Sequence, residues 1–480
     1  MRRKPKEFFR ISQYKRRYDH KTGKFIIDIA YETATQTTPR TIAVSEAFGL
    51  GIDQQQKFTL YDNIELKIGL ADIVYITGDS GSGKSVLLKA IKNDLGRKAI
   101  DITQIKPNPN KPLIDTIGKN LNEGLELLSK AGLNDAFLFV RRFRELSDGQ
   151  KYRYKIAKLM ESRKKWWIAD EFCSTLDRDT AKIVAYNIQK IARQMGKTLI
   201  VATTHTDLFE DLAPTAHVHK RFGKEIIVRY YPNTPPSECT VAKEMQISEG
   251  TTADYKALSV FHYRSNHCPP PRKIYTLKRK DELCGVIVYS YPPPTCFGRK
   301  QAKLPKTSLK KLNKKLSTIT RVVIHPKYRT IGLGTKLVRE TLPLAGTLHV
   351  ETVAVMAKYN PFFEKAGMQK ITETKPNPHV LEAITQLYAL GFNPQMLSSQ
   401  TYNLQKIHTI GKNKIIKILE KLSLKGGASR NRLLTLKGAY PNHQQFVKKL
   451  RRLDEENLAK TLKKLSFLAQ TKVYLFWSKV

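Results

Sequence analysis

The sequence predicts an α/β chain: two successive sheet-and-helix regions and a basic helical stretch behind them. Three observations carry that expectation. Strand-sized apolar runs alternate with amphipathic helical stretches from about residue 42 to 231, the pattern of a largely parallel sheet with crossover helices. A second alternation covers 239–374, after PNTPPSE at 232–238, whose three prolines deny ladder hydrogen bonds and stiffen a linker. From 375 to 471 the spacing turns helical, as with Ile415, Ile418, Leu419 and Leu422 at i, i+3, i+4 and i+7. Residues 1–41 read as a basic arm with one strand-like run at 25–30, and 472–480 as a terminal strand.

Composition bounds the function. The chain has 480 residues and a net charge of +42, from 84 Lys and Arg against 42 Asp and Glu. A compact chain repels itself at such a charge unless an anionic partner balances it: nucleic acid, an acidic membrane surface or an acidic protein. No window approaches the ~18–20 apolar residues that span a bilayer. Residues 1–17 are basic but lack the apolar core of a secretory signal. Five scattered cysteines, an odd number, argue against a disulfide framework and for a reducing, cytoplasmic setting without a membrane. Cys268, Cys284 and Cys296 lie near His262 and His267 in the chain, but with no C-x-x-C pair they read as ordinary thiols.

The sharpest motif is GDSGSGKS at 78–85, between an apolar strand (73–77) and a helix (86–91). That context defines a phosphate-binding P-loop. Gly78, Gly81 and Gly83, with Ser80 between them, let backbone N–H groups wrap phosphates at a helix N-terminus. Lys84 reaches the β- and γ-phosphates, and Ser85 holds Mg²⁺. WWIADEF at 166–172 ends a strand in two acids. Beside a P-loop, Asp170 binds the magnesium and Glu171 polarises the attacking water.

Between these lies RELSDGQKYRYKIA at 144–157. Here the sequence resembles the ATP-binding cassette (ABC) superfamily: LSDGQ at 146–150 is similar to its LSGGQ signature, with Asp148 in place of the first glycine. The resemblance makes CSTLD, ending at Asp177, the D-loop and His205 the switch histidine. It makes Gln104 the Q-loop residue, a further magnesium contact, and Phe48 the aromatic that stacks on adenine. Gln104 stands only twenty residues beyond Lys84, and an insert over 50–57 follows Phe48. ABC ATPases sandwich two ATP between head-to-tail cassettes, each held by one P-loop and by the other copy's signature. The resemblance therefore implies a homodimer whose Ser147, Gly149 and Gln150 close on ATP. Whether Asp148 weakens that closure or points outward stays open at this level. The basic extension in place of a membrane partner favours the soluble branch of the family.

The second region has its own strand–turn–helix, RVVIHPKYRTIGLGTKLV at 321–338. Arg329, Gly332 and Gly334 fit R-x-x-G-x-G, and the N–H groups of Ile331, Gly332, Leu333, Gly334 and Thr335 face an anion at a helix start. This resembles motif A of the GNAT acyltransferases, in which the anion is the diphosphate of acyl-CoA, typically acetyl-CoA. NPFFEKAGM at 360–368 is similar to the family's closing motif. Phe363 stands where many members place a tyrosine that reprotonates the CoA thiolate. Tyr359, one helical turn earlier, is the substitute; His325, Glu351 and Tyr289 are candidate bases. GNAT sheets end on a returning strand, so the resemblance also makes 375–471 an insertion and 473–477 the strand that completes the sheet. More loosely, 261–298 is similar to phage Mom-type relatives that modify adenine in DNA.

The expected protein is thus an ABC-type ATPase fused to a GNAT acyltransferase, using ATP, Mg²⁺ and acyl-CoA to modify DNA or RNA. Two rivals stand beside it. One is an ATP-dependent nucleic-acid clamp with a GNAT domain that only senses acyl-CoA; the other is a protein N-acetyltransferase. The excess charge lies outside both motifs, at 1–17, 303–315 and beyond 375, where phosphate contacts would position a polymer.

Overall fold

The computed structural model describes residues 9–19, 21–33, 38–49, 56–262, 270–305, 307–355, 361–425, 427–434 and 442–479. They form two compact units. One takes in the described residues of Met1–Asn266 with Tyr275–Val286 and Val322–Leu337; the other takes in those of His267–Ile274, Ile287–Arg321 and Val338–Val480.

The first unit opens on an antiparallel sheet, β1 (Phe9–Asp19), β2 (Lys24–Thr33) and β3 (Gln56–Lys67). Alternation puts Phe25, Ile27 and Ile29 on one face of β2, all fully buried. They share a core with Leu60, Trp166 and Val218. From Phe9 onward the expected arm is therefore a sheet built into the unit, because a period-2 apolar face was available to bury.

A six-stranded sheet follows: β4 (Ile73–Thr77), β5 (Ala99–Asp101), β6 (Trp166–Ala169), β7 (Thr198–Ala202), β8 (Ala216–Lys220) and β9 (Ile226–Tyr230), in the order β5-β6-β7-β4-β8-β9. All neighbours are parallel except β8 and β9. Every residue of β4, β6 and β7 is buried. Ile73 and Tyr75 enter one core and Val74 and Ile76 the other, so the sheet is covered on both faces, as a parallel sheet requires. The register pairs Ile76 with Ala202 and Ala169 with Val201. Gly78, Asp170 and Thr203 thus come to the same carboxyl edge, where open α/β sheets bind ligands.

A seven-stranded mixed sheet has the order β10-β11-β12-β13-β14-β16-β15. Its strands are β10 (Gln246–Glu249), β11 (Pro271–Arg279), β12 (Glu282–Ser290), β13 (Leu316–Ile324), β14 (His349–Ala354), β15 (Gln369–Thr374) and β16 (Lys472–Ser478). β13 and β14 are parallel, and β16 is antiparallel to both β14 and β15. Between β15 and β16 the chain makes six α-helices within 378–468 among the described residues. Ile415, Ile418, Leu419 and Leu422 all enter the core of this helical region, with Leu387, Phe446 and Leu462. Among the described residues no helix is long and apolar enough to cross a membrane, and no group of three or more His, Cys, Asp or Glu is placed to hold a metal.

Candidate functional sites

The loop after β4 is fixed by sterics. Gly78 has φ 146°, and a Cβ there would sit 2.0 Å from the Lys220 carbonyl oxygen. Gly83 (φ 104°) precedes helix Lys84–Leu95 with no side-chain cap, and a Cβ would meet Leu60 at 2.8 Å. The uncapped first turn leaves N–H groups for an anion. Lys84 Nζ donates to the carbonyls of Gly78 (2.7 Å) and Asp79 (2.6 Å), folding the loop about itself. Burial pulls the Lys84 ammonium below its ordinary pKa, while Asp170 and Asp79 oppose that shift. Asp170 thus acts electrostatically on the lysine expected to share its ligand. Ser80, Gly81 and Ser85 are exposed, and buried Ser82 Oγ has no partner among the described residues.

Asp170 follows β6, and its Oδ1 accepts from the Glu171 N–H (2.9 Å). Glu171 is exposed with φ 47°, a left-handed turn held by the Phe172 N–H donating to the Ala202 carbonyl (2.7 Å). The turn lifts the carboxylate off the strand end. Asp177 caps helix Arg178–Gln194, accepting from the Thr180 N–H (3.1 Å) and hydroxyl (2.6 Å). The His205 N–H donates to Thr203 Oγ1 (3.3 Å), and its carbonyl accepts from the Tyr75 hydroxyl. These residues and Lys84 ring the carboxyl edge of β4, β6 and β7.

The signature is a capping box at helix Asp148–Glu161: Ser147 Oγ accepts from the Gln150 N–H (3.4 Å), and Gln150 Oε1 accepts from the Ser147 N–H (3.1 Å). The Asp148 side chain is 91% exposed, paired with Lys151 at 3.4 Å. It points away from its own cassette. Gly149 is tight: a Cβ would lie 3.4 Å from Leu176.

Two further expected residues are exposed on the surface of the chain. Gln104 is exposed at the end of a 3₁₀ turn, its Oε1 accepting from the Asp101 N–H at 3.4 Å. Phe48 ends helix Pro39–Phe48 and is 77% exposed. Residues 50–55 of the expected insert lie outside the described residues.

The second glycine loop leaves β13 through a turn at Pro326–Tyr328 and starts helix Leu333–Thr341. The side chains of Ile331 and Leu333 are buried, while Gly332 (φ 88°) faces open space. Gly334 and Thr335 form the first turn of the helix. Arg329, expected to face the acyl donor, turns into the protein. Its Nε donates to the Ile324 carbonyl (2.9 Å) and one terminal nitrogen to the Asn134 carbonyl (2.6 Å). The guanidinium staples the turn, which leaves the backbone around Gly332 as the part of the expected anion site that faces open space.

Glu351 does not serve as a general base. It is fully buried, and both oxygens are taken. Arg299 donates through Nε (2.9 Å) and a terminal nitrogen (2.6 Å), Thr318 through Oγ1 (3.0 Å) and Tyr474 through its hydroxyl (2.9 Å). A carboxylate so satisfied has no lone pair free for a substrate proton. Tyr289 is buried and shares a 2.7 Å hydrogen bond with Thr341. His325 Nδ1 accepts from the Lys327 N–H (3.3 Å), and burial pulls its imidazole below the usual value. Phe363 is buried. Tyr359 lies outside the described residues.

Sequence reasoning missed two groups. One is the set around Glu351, drawn from β13, β14, β16 and a loop. The other is Thr77 Oγ1 between His217 Nε2 (2.9 Å) and His219 Nδ1 (3.0 Å), directly beneath the first glycine loop. The i, i+2 histidines on one strand face were the available signal.

The model of the family "ABC transporter" matches residues 61–174, and that of the "Acetyltransferase (GNAT) family" matches 241–368. The ATP-binding export protein CcmA of cytochrome c biogenesis from Brucella abortus is 31% identical over 179 residues, 31% of this chain and 80% of CcmA. The spermidine/putrescine import ATP-binding protein PotA from Borreliella afzelii is 30% identical over 172 residues, 30% of this chain. The match spans half the length of PotA. Among solved structures, the dimeric bacterial ABC transporter cassette MJ0796 matches with a TM-score of 0.31 and 20% identity, covering 37% of this chain and 94% of that one.

Proposed function

Since the chain belongs to the ABC family of ATPases and carries a GNAT acetyltransferase domain in the same polypeptide, we propose that it works as a homodimer that spends ATP to modify nucleic acid with an acyl group. Lys84 and the loop amides hold the phosphates. Ser85 and Asp170 fit a magnesium ion, which neutralises developing charge, and Glu171 orients water with His205 beside it. Ser147 and Gly149 of the second copy close the site. The amides around Gly332 hold the diphosphate of acetyl-CoA. With Glu351 sealed and Phe363 unable to donate, Tyr359 is the residue left to reprotonate the thiolate.

One observation carries the choice of nucleic acid. Lys300, Lys303, Lys310, Lys311, Lys314 and Lys315 are all exposed, and none has a carboxylate partner among the described residues. Residues 375–471 add seventeen Lys and Arg against five acids. ATP and acyl-CoA are too small to balance that charge; a polyphosphate backbone is not. The comparisons show no similarity of 261–298 to adenine-modifying relatives, so a base as acceptor rests on this charge alone.

Mass spectrometry of nucleosides and proteins from cells with and without this chain tests the reading. A new modified nucleoside supports it; a change confined to protein supports the N-acetyltransferase instead. The sealing of Glu351 favours one further reading, an ATP-dependent clamp that senses acyl-CoA without transfer, for which neither pool changes.

A further inference from the structure

The turn that begins the second glycine loop is tied by ion pairs and hydrogen bonds to the segment around Asp177 and to the helix that Asp177 caps. Lys327, in the turn that begins the acyl loop, lies 3.3 Å from Asp177 and 2.9 Å from Asp179. Arg279 of β11 holds the other oxygen of Asp179 at 2.6 Å and Glu244 at 2.7 Å. The Asn187 side chain, on the helix that Asp177 caps, donates to Thr330 Oγ1 (2.9 Å). Asn134 donates to the Pro326 carbonyl (3.2 Å) and accepts from Arg329 (2.6 Å). All of these residues lie in the first compact unit.

The two acids differ. Burial raises the Asp179 pKa, and the Lys327 and Arg279 cations more than reverse it, so the carboxyl lies below the usual range. The Asp179 side chain is 19% exposed and that of Asp177 58%. Both carboxyls are held below the usual range, but Asp179 is shut between two cations, whereas Asp177 caps its helix through Thr180 and meets Lys327 at the longer distance on its exposed side. On the acyl side, Thr330 has φ 77°, a left-handed conformation that is an outlier for a β-branched residue. Such strain persists only where the surroundings over-determine it. Here they are Asn187, Lys327 and Asn134-bound Arg329, all fastened to the ATPase part of the unit.

We propose that Lys327 is a positioning residue through which nucleotide occupancy and acyl-donor binding act on each other. ATP closure that engages Asp177 changes its bond to Lys327, and Lys327 stands three residues from strained Thr330 at the mouth of the acyl loop. Linkage makes the effect reciprocal: each ligand alters the affinity of the other by the same factor. The inference rests on the acyl-CoA reading of the second loop.

The test is acetyl-CoA titration of the full chain by calorimetry, with and without Mg²⁺ and a non-hydrolysable ATP analogue. The two dissociation constants are expected to differ by about fivefold or more, to coincide in Lys327→Met, and to differ again in Lys327→Arg. A merely structural lysine would weaken binding equally in both conditions and leave the ratio unchanged. Equal constants in the unmodified chain, or an unchanged ratio in a folded Lys327→Met chain, overturn the coupling. If Lys327→Met does not fold, loss of the ratio in Asp177→Asn supports the coupling and its retention overturns it. Absence of acetyl-CoA binding in every chain overturns the acyl reading and the coupling with it.

Discussion

The chain carries two strand–glycine–helix loops, and they are held in different ways. In the first, a Cβ on Gly78 would overlap the Lys220 carbonyl at 2.0 Å, and Lys84 bonds two carbonyls of its own loop. In the second, nothing lies within 4 Å of a Cβ on Gly332, and strained Thr330 is held by a side chain from elsewhere in the chain. The first loop is shaped by its own neighbours. The second is open above Gly332 and borrows its shape. A loop of the second kind is the one whose affinity a distant event can alter.

Four measurements test the difference between the loops. Glu171→Gln is expected to slow ATP hydrolysis by about 10²–10⁴-fold while leaving ATP bound and a dimer formed; a monomer in saturating ATP, seen by light scattering, would count against the cassette. Gly78→Ala should cost about 3 kcal/mol by overpacking, whereas Gly332→Ala should cost about 1 kcal/mol of left-handed strain. Equal losses in urea unfolding would erase the contrast. Gly332→Glu sets a carboxylate against the acyl diphosphate and should weaken acetyl-CoA at least about tenfold, with ATP affinity unchanged; retained acetyl-CoA affinity would remove the loop assignment.

The smallest effect is in pH. Burial first, then His219 and Arg229, hold the His217 imidazole below its ordinary value. Between that lowered value and about 6.5 the unfolded chain binds more protons than the folded one, so stability falls as pH drops through this window. His217→Gln should flatten the acid side of a melting-temperature profile, and an unchanged slope would mean another group sets it.

Local patterns were legible in the sequence because local backbone demands wrote them. Gly78, Gly83 and Gly332 need left-handed or crowded backbone, and Ile415 to Leu422 need one buried helix face. What was not legible depends on distance along the chain. Asp179 meets Lys327 across 148 residues, and Glu351 draws its donors from Arg299, Thr318 and Tyr474. No spacing rule encodes such pairs. Glu351 looked like a candidate base because its type and strand allowed it; only the fold shows both oxygens taken. Arg329 fits its motif by position, and its guanidinium is nevertheless used to hold the turn.

We propose that ATP and an acyl donor act together on a nucleic acid. The most direct measurement incubates the full chain with ATP, Mg²⁺, radiolabelled acetyl-CoA and a mixture of duplex DNA, RNA and protein, then follows the label. Label is expected in nucleosides, dependent on ATP and lost in Gly332→Glu. Label confined to protein, or nucleoside label indifferent to ATP, would contradict it.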